Sequence, residues 1–244
     1  MSITTCIHNN FHNSSYIYKR IESTLREGIQ YDLPTEKCSK YLKNHINQKL
    51  SVAVLYVDIS NSTKMSLSIP QSQFVSILNV FSQEMSFIIA ETDGFVLKYV
   101  GDAVIGLFPI AYNEAEEFES VIICGISMIN SINNIINPVL RKNKLPEIAV
   151  KIGMEFGDLL VMLYGKDMSK SQVDLIGSTM SVASKITSIA KHNQILVGKN
   201  LYDKLQNTFF KEKFFKVERD SKWSFDETYS TLFPHSNQHL LLCN

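Results

Sequence analysis

The sequence has few cysteines and no excess of either charge, and each shortage excludes a class of protein. Its four cysteines lie far apart and form no CxxC pair, so we expect neither a zinc site nor a disulfide framework. Lys+Arg and Asp+Glu each number 24 among the 244 residues. Nothing in that balance indicates a nucleic-acid-binding surface or a polybasic membrane anchor.

Long uninterrupted apolar segments are also missing. The first ten residues lack the charged and apolar blocks of a signal peptide. The most apolar long stretch, at 121–140, is interrupted by serines and asparagines, which argues against a membrane span. We therefore expect a soluble cytoplasmic protein.

Two short aspartate motifs stand out from this background. The apolar run VLYVDIS at 54–60 carries Asp58 near its end, and KYVGDAVIG at 98–106 places Asp102 in a tight turn after Gly101. Adjacent carboxylates repel each other unless a cation lies between them or one takes up a proton. A hard cation such as Mg²⁺ prefers carboxylate oxygens and keeps substrate phosphate in its shell. The pair indicates a metal–triphosphate site.

The spacing of apolar residues predicts an α+β fold. We expect a strand at 52–57, a helix at 71–92, a hairpin at 95–108, a helix from 113 that Pro138 ends, and a second hairpin turning at Gly157 and Asp158. A helix at 177–190 follows. The opening βαββα order matches the ferredoxin-like (βαββαβ) arrangement. Helices on one sheet face would leave the other face free for a partner or ligand.

Four segments, in order, carry a resemblance to a known family. They are VDISNST at 57–63, KYVGD at 98–102, KIGMEFG at 151–157 and DLIGSTMSVASK at 174–185. Together they resemble the class III nucleotidyl cyclases, the adenylyl and guanylyl cyclase family, and in particular its stand-alone prokaryotic and archaeal members. The resemblance covers roughly 51–205. It implies an N-terminal helical extension at 1–50, a catalytic domain at 51–210, and a sheet-closing segment and tail at 211–244.

The resemblance implies a two-metal site. Asp58 and Asp102, helped by the Ile59 carbonyl, would hold two divalent ions, Mg²⁺ or Mn²⁺, for in-line phosphoryl transfer. The product would be a 3′,5′-cyclic monophosphate, with pyrophosphate released.

Other segments would hold the substrate. The backbone of Asn61, Ser62 and Thr63 would cradle phosphate at a helix start, and Lys151 would contact the triphosphate.

The resemblance also implies how the base is read and how the chains assemble. A donor from Lys98 and an acceptor from Asp174 suit adenine, so ATP is the expected substrate, with GTP or a pyrimidine triphosphate still open. The family's site forms between two catalytic domains, so this chain would act as a homodimer. One protomer would supply the two aspartates, and the other would supply Lys98, Asp174, Ser181 and Lys185. Residues 1–50 would support that dimer or contact a regulatory partner protein.

Three places depart from the family pattern. In the loop after Asp58, Asn61-Ser62 stands where Gly-Phe is common. Ser181 stands where the family usually has Asn, and Lys185 stands where it usually has Arg. Lys185 keeps the charge but loses the planar fork, and losing one transition-state donor costs about 10²–10³ in rate. We expect a slow enzyme or one that needs activation. The alternative is a cyclase-like module that binds nucleotide and signals without turnover. A diguanylate cyclase is disfavoured, because VGDAV replaces the Gly-Gly-Asp-Glu-Phe turn.

Ordinary structural roles compete with each assignment. Asp58 could cap a strand end, Asp174 could sit in a turn, and Lys151 could face water from a strand. Ser181 and Lys185 lie four residues apart, as on any solvated helix face.

Overall fold

A computed structural model describes residues 14–29, 35–111, 114–168, 170–205, 208–217 and 228–231. Its helices are α1 Ser14–Glu27, α2 Thr35–Lys43, α3 Ser62–Ser68, α4 Gln71–Glu91, α5 Glu114–Ser131, α6 Asn137–Lys142, α7 Ser178–Ile189 and α8 Lys199–Lys204. Its strands are β1 Lys49–Ile59, β2 Phe95–Val100, β3 Ala103–Pro109, β4 Val150–Tyr164, β5 Gln172–Ile176, β6 Gln194–Gly198, β7 Phe214–Lys216 and β8 Thr228–Thr231. A π-helical turn, Ile132–Ile136, joins α5 to α6.

The described strands form one sheet in the order β2-β3-β1-β4-β6-β8-β7, with β5 paired to β4 away from this path. The first four neighbours, β2-β3-β1-β4, are antiparallel, which is the ferredoxin-like order that the element pattern predicts. Strand β1 lies between β3 and β4, so its ends are held on both sides. The predicted fold class is confirmed.

Alternation along β1 separates two hydrophobic cores, because successive side chains of a strand point to opposite faces. Ala53, Leu55 and Val57 belong to the larger core, with α4 and α5. Val52 and Val54 belong to a second core on the other face, which α2 and α7 share. The prediction that this second face stays free is wrong. Two helices cover part of it, because its side chains are as apolar as those of the first face.

The predicted turn at Gly157 and Asp158 is also wrong, because β4 runs through both residues without a break. Each residue has a role in the strand. A Cβ at position 157 would lie 2.5 Å from Thr179 Oγ1, so glycine lets α7 pack closely on the sheet. The Ser51 hydroxyl donates to Asp158 Oδ1 at 2.6 Å, across the β1–β4 ladder.

Pro138 does not end its helix as the sequence predicts. It sits in the first turn of α6, directly after the π-helical turn, where proline is tolerated. Proline has no N–H to give to the carbonyl of Asn134, four residues earlier. The Tyr18 hydroxyl of α1 donates to that carbonyl instead, at 3.3 Å.

Helix α1 is fastened to α4 by a buried ion pair. Arg20 donates from Nε to Glu84 Oε1 at 2.9 Å and from Nη2 to Oε2 at 2.6 Å. The guanidinium also lies over the Phe87 ring, 4.1 Å from its centroid. The N-terminal extension predicted to be helical thus contains two helices, α1 and α2, although β1 already begins at Lys49. The domain division at 50 and 210 stays a prediction.

By length and hydropathy alone, the helical stretch Ala115–Lys142 could cross a membrane. Half of its most apolar window is buried inside the protein, and Phe118, Val121 and Ile122 belong to the main core. This is the burial expected of a core helix. A cytoplasmic location stays a prediction.

Candidate active site

Asp58 lies near the end of β1, where the flanking strands fix its position on both sides. Its Cα pairs with Ala103 of β3 and with Lys151 of β4. By strand alternation its side chain projects to the same face as Val52 and Val54, the face that α2 and α7 partly cover. The apolar residues before Asp58 form the buried strand β1, and Asp58 lies near the end of that strand.

Asp102 reaches the same place from the β2–β3 turn. Gly101 has φ +62°, a left-handed conformation that glycine adopts without strain. The turn brings the Asp102 carbonyl next to the end of β1, where it accepts the Ile59 N–H at 3.4 Å. The predicted proximity of Asp58 and Asp102 is therefore present in the folded chain.

The Asp58 carboxyl group is strongly perturbed by its surroundings. Burial, then hydrogen bonding to Asp102 and its negative charge, raises the pKa of Asp58 from 3.8 to about 7. The positive charge of Lys151 lowers it only in part. Such a bond needs a shared proton, since two ionised carboxylates have no donor between them. Asp102 Oδ2 is buried and accepts no hydrogen bond from the described residues.

A buried carboxylate oxygen without a donor, beside a second carboxylate, fits a divalent cation. Among the described residues no cluster of three or more His, Cys, Asp or Glu side chains could hold a metal. A hard ion here would complete its shell with backbone carbonyl, water and substrate phosphate, as Mg²⁺ usually does.

Basic and backbone groups surround the carboxylates. Lys151 lies across from Asp58 in the β1–β4 ladder, and its Nζ donates to the Ser188 carbonyl at 3.4 Å. After β1, Asn61 has φ +59° and ψ +27°. Asparagine tolerates this left-handed conformation better than most residues, so it can replace the glycine common in the resembled family. Ser62 and Thr63 then begin α3.

Lys98 and Asp174 meet although their strands are not paired. Lys98 Nζ lies 2.6 Å from Asp174 Oδ2, with the side chains 35% and 21% exposed. The second oxygen, Oδ1, accepts the Leu175 N–H at 2.9 Å. Strand β5, which carries Asp174, was not predicted. Asp174 is a strand residue paired with Met162 of β4, so its alternative role in a turn is excluded.

Tyr56 is a residue of this region that sequence reasoning did not single out. It precedes Asp58 by two positions, so the two side chains share a sheet face. Burial, and then the negative charge of Asp174, raises the pKa of Tyr56. Tyr56 thus shares a sheet face with Asp58 and lies close enough to Asp174 to respond to its charge. The alternation of side chains along β1 was the sequence signal that could have placed Tyr56 on the same sheet face as Asp58.

Ser181 and Lys185 lie one turn apart on α7, and both are exposed. Thr179, Ala183 and Ile186 form the buried side of the same helix. This arrangement fits a solvated helix face, and it also fits side chains presented to a second protomer.

The comparisons with known proteins agree on one family. The model of the family described as "Adenylate and Guanylate cyclase catalytic domain" matches residues 45–225. A cytidylate cyclase of Escherichia coli is 30% identical over 162 residues, which cover 63% of this chain and 35% of that protein. An adenylate cyclase of Anabaena cylindrica is 27% identical over 140 residues, covering 57% of this chain and 27% of that protein. The chain thus spans about a third or less of these two relatives.

A solved structure agrees on the fold. The adenylyl cyclase CyaB from P. aeruginosa superposes with a TM-score of 0.65 at 20% identity, covering 78% of this chain and 97% of that one.

Proposed function

Because the chain belongs to the family of adenylate and guanylate cyclase catalytic domains, we propose that it cyclises a nucleoside triphosphate. The ribose 3′-oxygen would bond to the α-phosphorus as the bond to pyrophosphate breaks and the hydroxyl proton leaves. The Asp58–Asp102 pair carries this proposal, because it places together two carboxyl groups, one with a buried oxygen that accepts no hydrogen bond from the described residues.

The residues present fit a pair of divalent cations. Asp58, Asp102 and the Ile59 carbonyl would hold two ions, Mg²⁺ or Mn²⁺. Such ions, when bound, supply Lewis acidity at the ribose oxygen and neutralise charge on the triphosphate. Without a cation the same carboxylates would repel an incoming phosphate.

The chain's own groups would orient the triphosphate. Lys151, beside Asp58, would balance phosphate charge close to the carboxylates. The backbone N–H groups of Asn61, Ser62 and Thr63, at the start of α3, would contact phosphate oxygens. Together these groups hold the α-phosphorus in line with the attacking oxygen, which is most of what a phosphoryl-transfer site does.

Lys98 and Asp174 would read the base. Their 2.6 Å pair sets a donor beside an acceptor. Adenine offers the complement, a ring nitrogen that accepts beside an amino group that donates, and cytosine offers the same edge. Guanine and uracil reverse it. We therefore propose ATP or CTP as substrate, with ATP the expectation from sequence and CTP suggested by the relative named a cytidylate cyclase.

The active unit would be a homodimer. One protomer would give Asp58 and Asp102, and the second would give Lys98, Asp174 and the exposed α7 residues Ser181 and Lys185. A complementation assay tests this arrangement. Asp58→Asn and Lys98→Ala variants should each be inactive alone and regain part of the wild-type rate when mixed, because mixed dimers contain one intact site. No recovery in proven mixed dimers would contradict the shared site.

A second function is supported by α7. Ser181 and Lys185 replace the family's usual Asn and Arg, so the transition state would be held less firmly. A domain that binds nucleotide and signals through a regulatory partner without turnover would need the metal and base residues but not these two.

One experiment separates the two functions. Purified protein would be incubated with Mn²⁺ and each of ATP, GTP, CTP and UTP, beside an Asp58→Asn/Asp102→Asn control, and products identified by mass spectrometry. A cyclic nucleotide from ATP or CTP, absent in the control, supports the cyclase. Tight, metal-dependent binding in calorimetry with no product supports the binding module.

A further inference from the structure

We propose that helix α2 is a wall of the base pocket and that Cys38 and Tyr41 on it are positioning residues for Lys98 and Asp174. This inference rests on the proposed function, since it assumes that Lys98 and Asp174 read the base. It assigns a role to residues 35–43, which lie outside the 45–225 segment that matches the family.

The Lys98–Asp174 pair needs an explanation because the sheet does not bring its strands together. Strand β2, which carries Lys98, pairs with β3 at one edge of the sheet. Strand β5, which carries Asp174, pairs with the distal part of β4, at Leu160 to Tyr164. No backbone ladder joins β2 to β5 among the described strands. The 2.6 Å contact must therefore be set by what packs between the two strands.

Helix α2 packs against both of these strands. Its Cys38 and Leu42 are fully buried in the second core, together with Leu175 of β5 and partly buried Leu97 of β2. A buried helix that touches two unpaired strands fixes their separation, because close-packed interiors transmit small displacements.

Tyr41 provides the contact to β2. Its ring stacks on Phe95, with centroids 5.0 Å apart and planes inclined by 20°. Phe95 lies three residues before Lys98 on the same strand. The Tyr41 carbonyl is also hydrogen-bonded to His45 Nδ1 at 2.8 Å, which ties the end of α2 to the turn before β1. The ring therefore sets where β2 lies.

Cys38 provides the contact towards β5, because it is buried in the same core as Leu175, the residue that follows Asp174. Burial, and then the negative charge of Asp174, raises the pKa of the Cys38 thiol to about 12. The thiol is neutral at physiological pH, so it adds no repulsive charge beside the carboxylate.

The test measures how much affinity the nucleoside adds. Binding of ATP, CTP and inorganic tripolyphosphate would be measured by calorimetry with Mn²⁺, at protein concentrations where the chain is dimeric. Tripolyphosphate lacks the ribose and the base, so the ratio of its Kd to that of ATP or CTP measures the nucleoside's contribution, to which base reading by Lys98 and Asp174 belongs. We expect Tyr41→Ala to reduce this ratio about tenfold or more, since misplacement by an ångström can cost 10²-fold, while the tripolyphosphate Kd stays unchanged.

Three further variants make the result specific. Tyr41→Phe keeps the ring and should restore the wild-type ratio. Tyr41→Leu keeps apolar volume without the ring, and it replaces Tyr41→Ala if that variant does not fold. Tyr16→Ala removes a half-exposed tyrosine from α1 and should leave the ratio unchanged. In turnover, KM for the nucleotide should rise more than kcat falls.

The outcomes distinguish failure of this inference from failure of the proposed base reading on which it rests. If the wild-type protein binds ATP and CTP no more tightly than tripolyphosphate, the proposed base reading fails. If the wild-type protein shows a clear ratio and both Tyr41→Ala and Tyr41→Leu keep it, the role of α2 is overturned. Equal weakening of all three ligands would also overturn it, because that pattern indicates general loss of structure.

Discussion

In the described part of the chain, the ion pair between α1 and α4 and the aspartate pair at the end of β1 are built in opposite ways. Between α1 and α4, Arg20 and Glu84 carry opposite charges and make two hydrogen bonds of 2.9 and 2.6 Å. At the end of β1, Asp58 and Asp102 carry like charges, and Asp102 Oδ2 accepts no hydrogen bond from the described residues. The charges of the first pair neutralise each other within the chain. The two carboxylates of the second pair need a proton or a cation between them.

The difference separates a structural role from a functional one. Breaking a satisfied buried pair leaves an uncompensated charge and destabilises the fold. Removing one of two like charges relieves repulsion and should leave the fold intact while it removes a ligand. Residues with a perturbed pKa cluster at functional sites, and Asp58 is such a residue. Of the two pairs, the aspartates are the one with a buried carboxylate oxygen, Asp102 Oδ2, that accepts no hydrogen bond from the described residues. Four predictions test this contrast.

The largest effect is expected from Asp58→Asn or Asp102→Asn. Cation binding supplies several kcal/mol of transition-state stabilisation, so turnover should fall by about 10³-fold or more. The Tm of the metal-free protein should stay the same or rise. Steady-state kinetics and thermal unfolding check the two parts. A large loss of Tm without metal would assign the pair a structural role.

Glu84→Gln is expected to reduce the stability of the fold, which the aspartate variants should not do. It leaves Arg20, whose side chain is only 10% exposed, without its ionised partner, and the loss of stability should be about 3 kcal/mol. Chemical denaturation measures it. The matched control is Glu22→Gln, which breaks the surface pair with Lys142 and should leave the stability almost unchanged, because solvent screens exposed ion pairs. Equal effects of the two variants would contradict the contrast between buried and surface pairs.

A smaller effect is expected from Lys185→Arg. Restoring the planar guanidinium at this exposed position of α7 should raise kcat by about tenfold, and Ser181→Asn in the same chain should add to it. The Tm should not change, because both side chains are exposed. An unchanged kcat in both variants would favour the nucleotide-binding module or a different transition-state donor.

The smallest effect is the pH dependence of the metal-free protein. The pKa of Asp58 is raised from 3.8 to about 7, so the folded chain holds this proton more tightly than the unfolded chain. The stability that this group contributes is full below about pH 4 and is lost as the pH rises towards 7. Asp58 is only half-buried, so solvent weakens the dependence. Tm measured from pH 4 to 8 should fall less in Asp58→Asn than in the wild type.

Much of the fold follows from local signals in the sequence. The apolar run before Asp58, the hairpin around Gly101 and the helix from Gln71 all have short-range patterns, and the structure has each of them. The closeness of Asp58 and Asp102 follows from the same patterns, because β1 and β3 are neighbours.

The failures arise where tertiary contacts override local signals. Gly157 looks like a turn residue, but it is needed where Thr179 of α7 approaches β4. Pro138 looks like a helix end, but the π-helical turn and the Tyr18 hydroxyl accommodate it. The contact of α2 with β2 and β5 joins residues distant in sequence, and no local pattern predicts it.

The most direct test of the central claim is a Mn²⁺ titration followed by electron paramagnetic resonance. Tripolyphosphate would be present, and the wild-type chain would be compared with Asp102→Asn and with Glu84→Gln below its Tm. The account predicts that Asp102→Asn weakens Mn²⁺ binding by at least about tenfold, because it removes one of two anionic ligands. Glu84→Gln should bind as the wild type does. Equal Mn²⁺ affinity in the wild type and Asp102→Asn would contradict the assignment of the aspartate pair as the cation site.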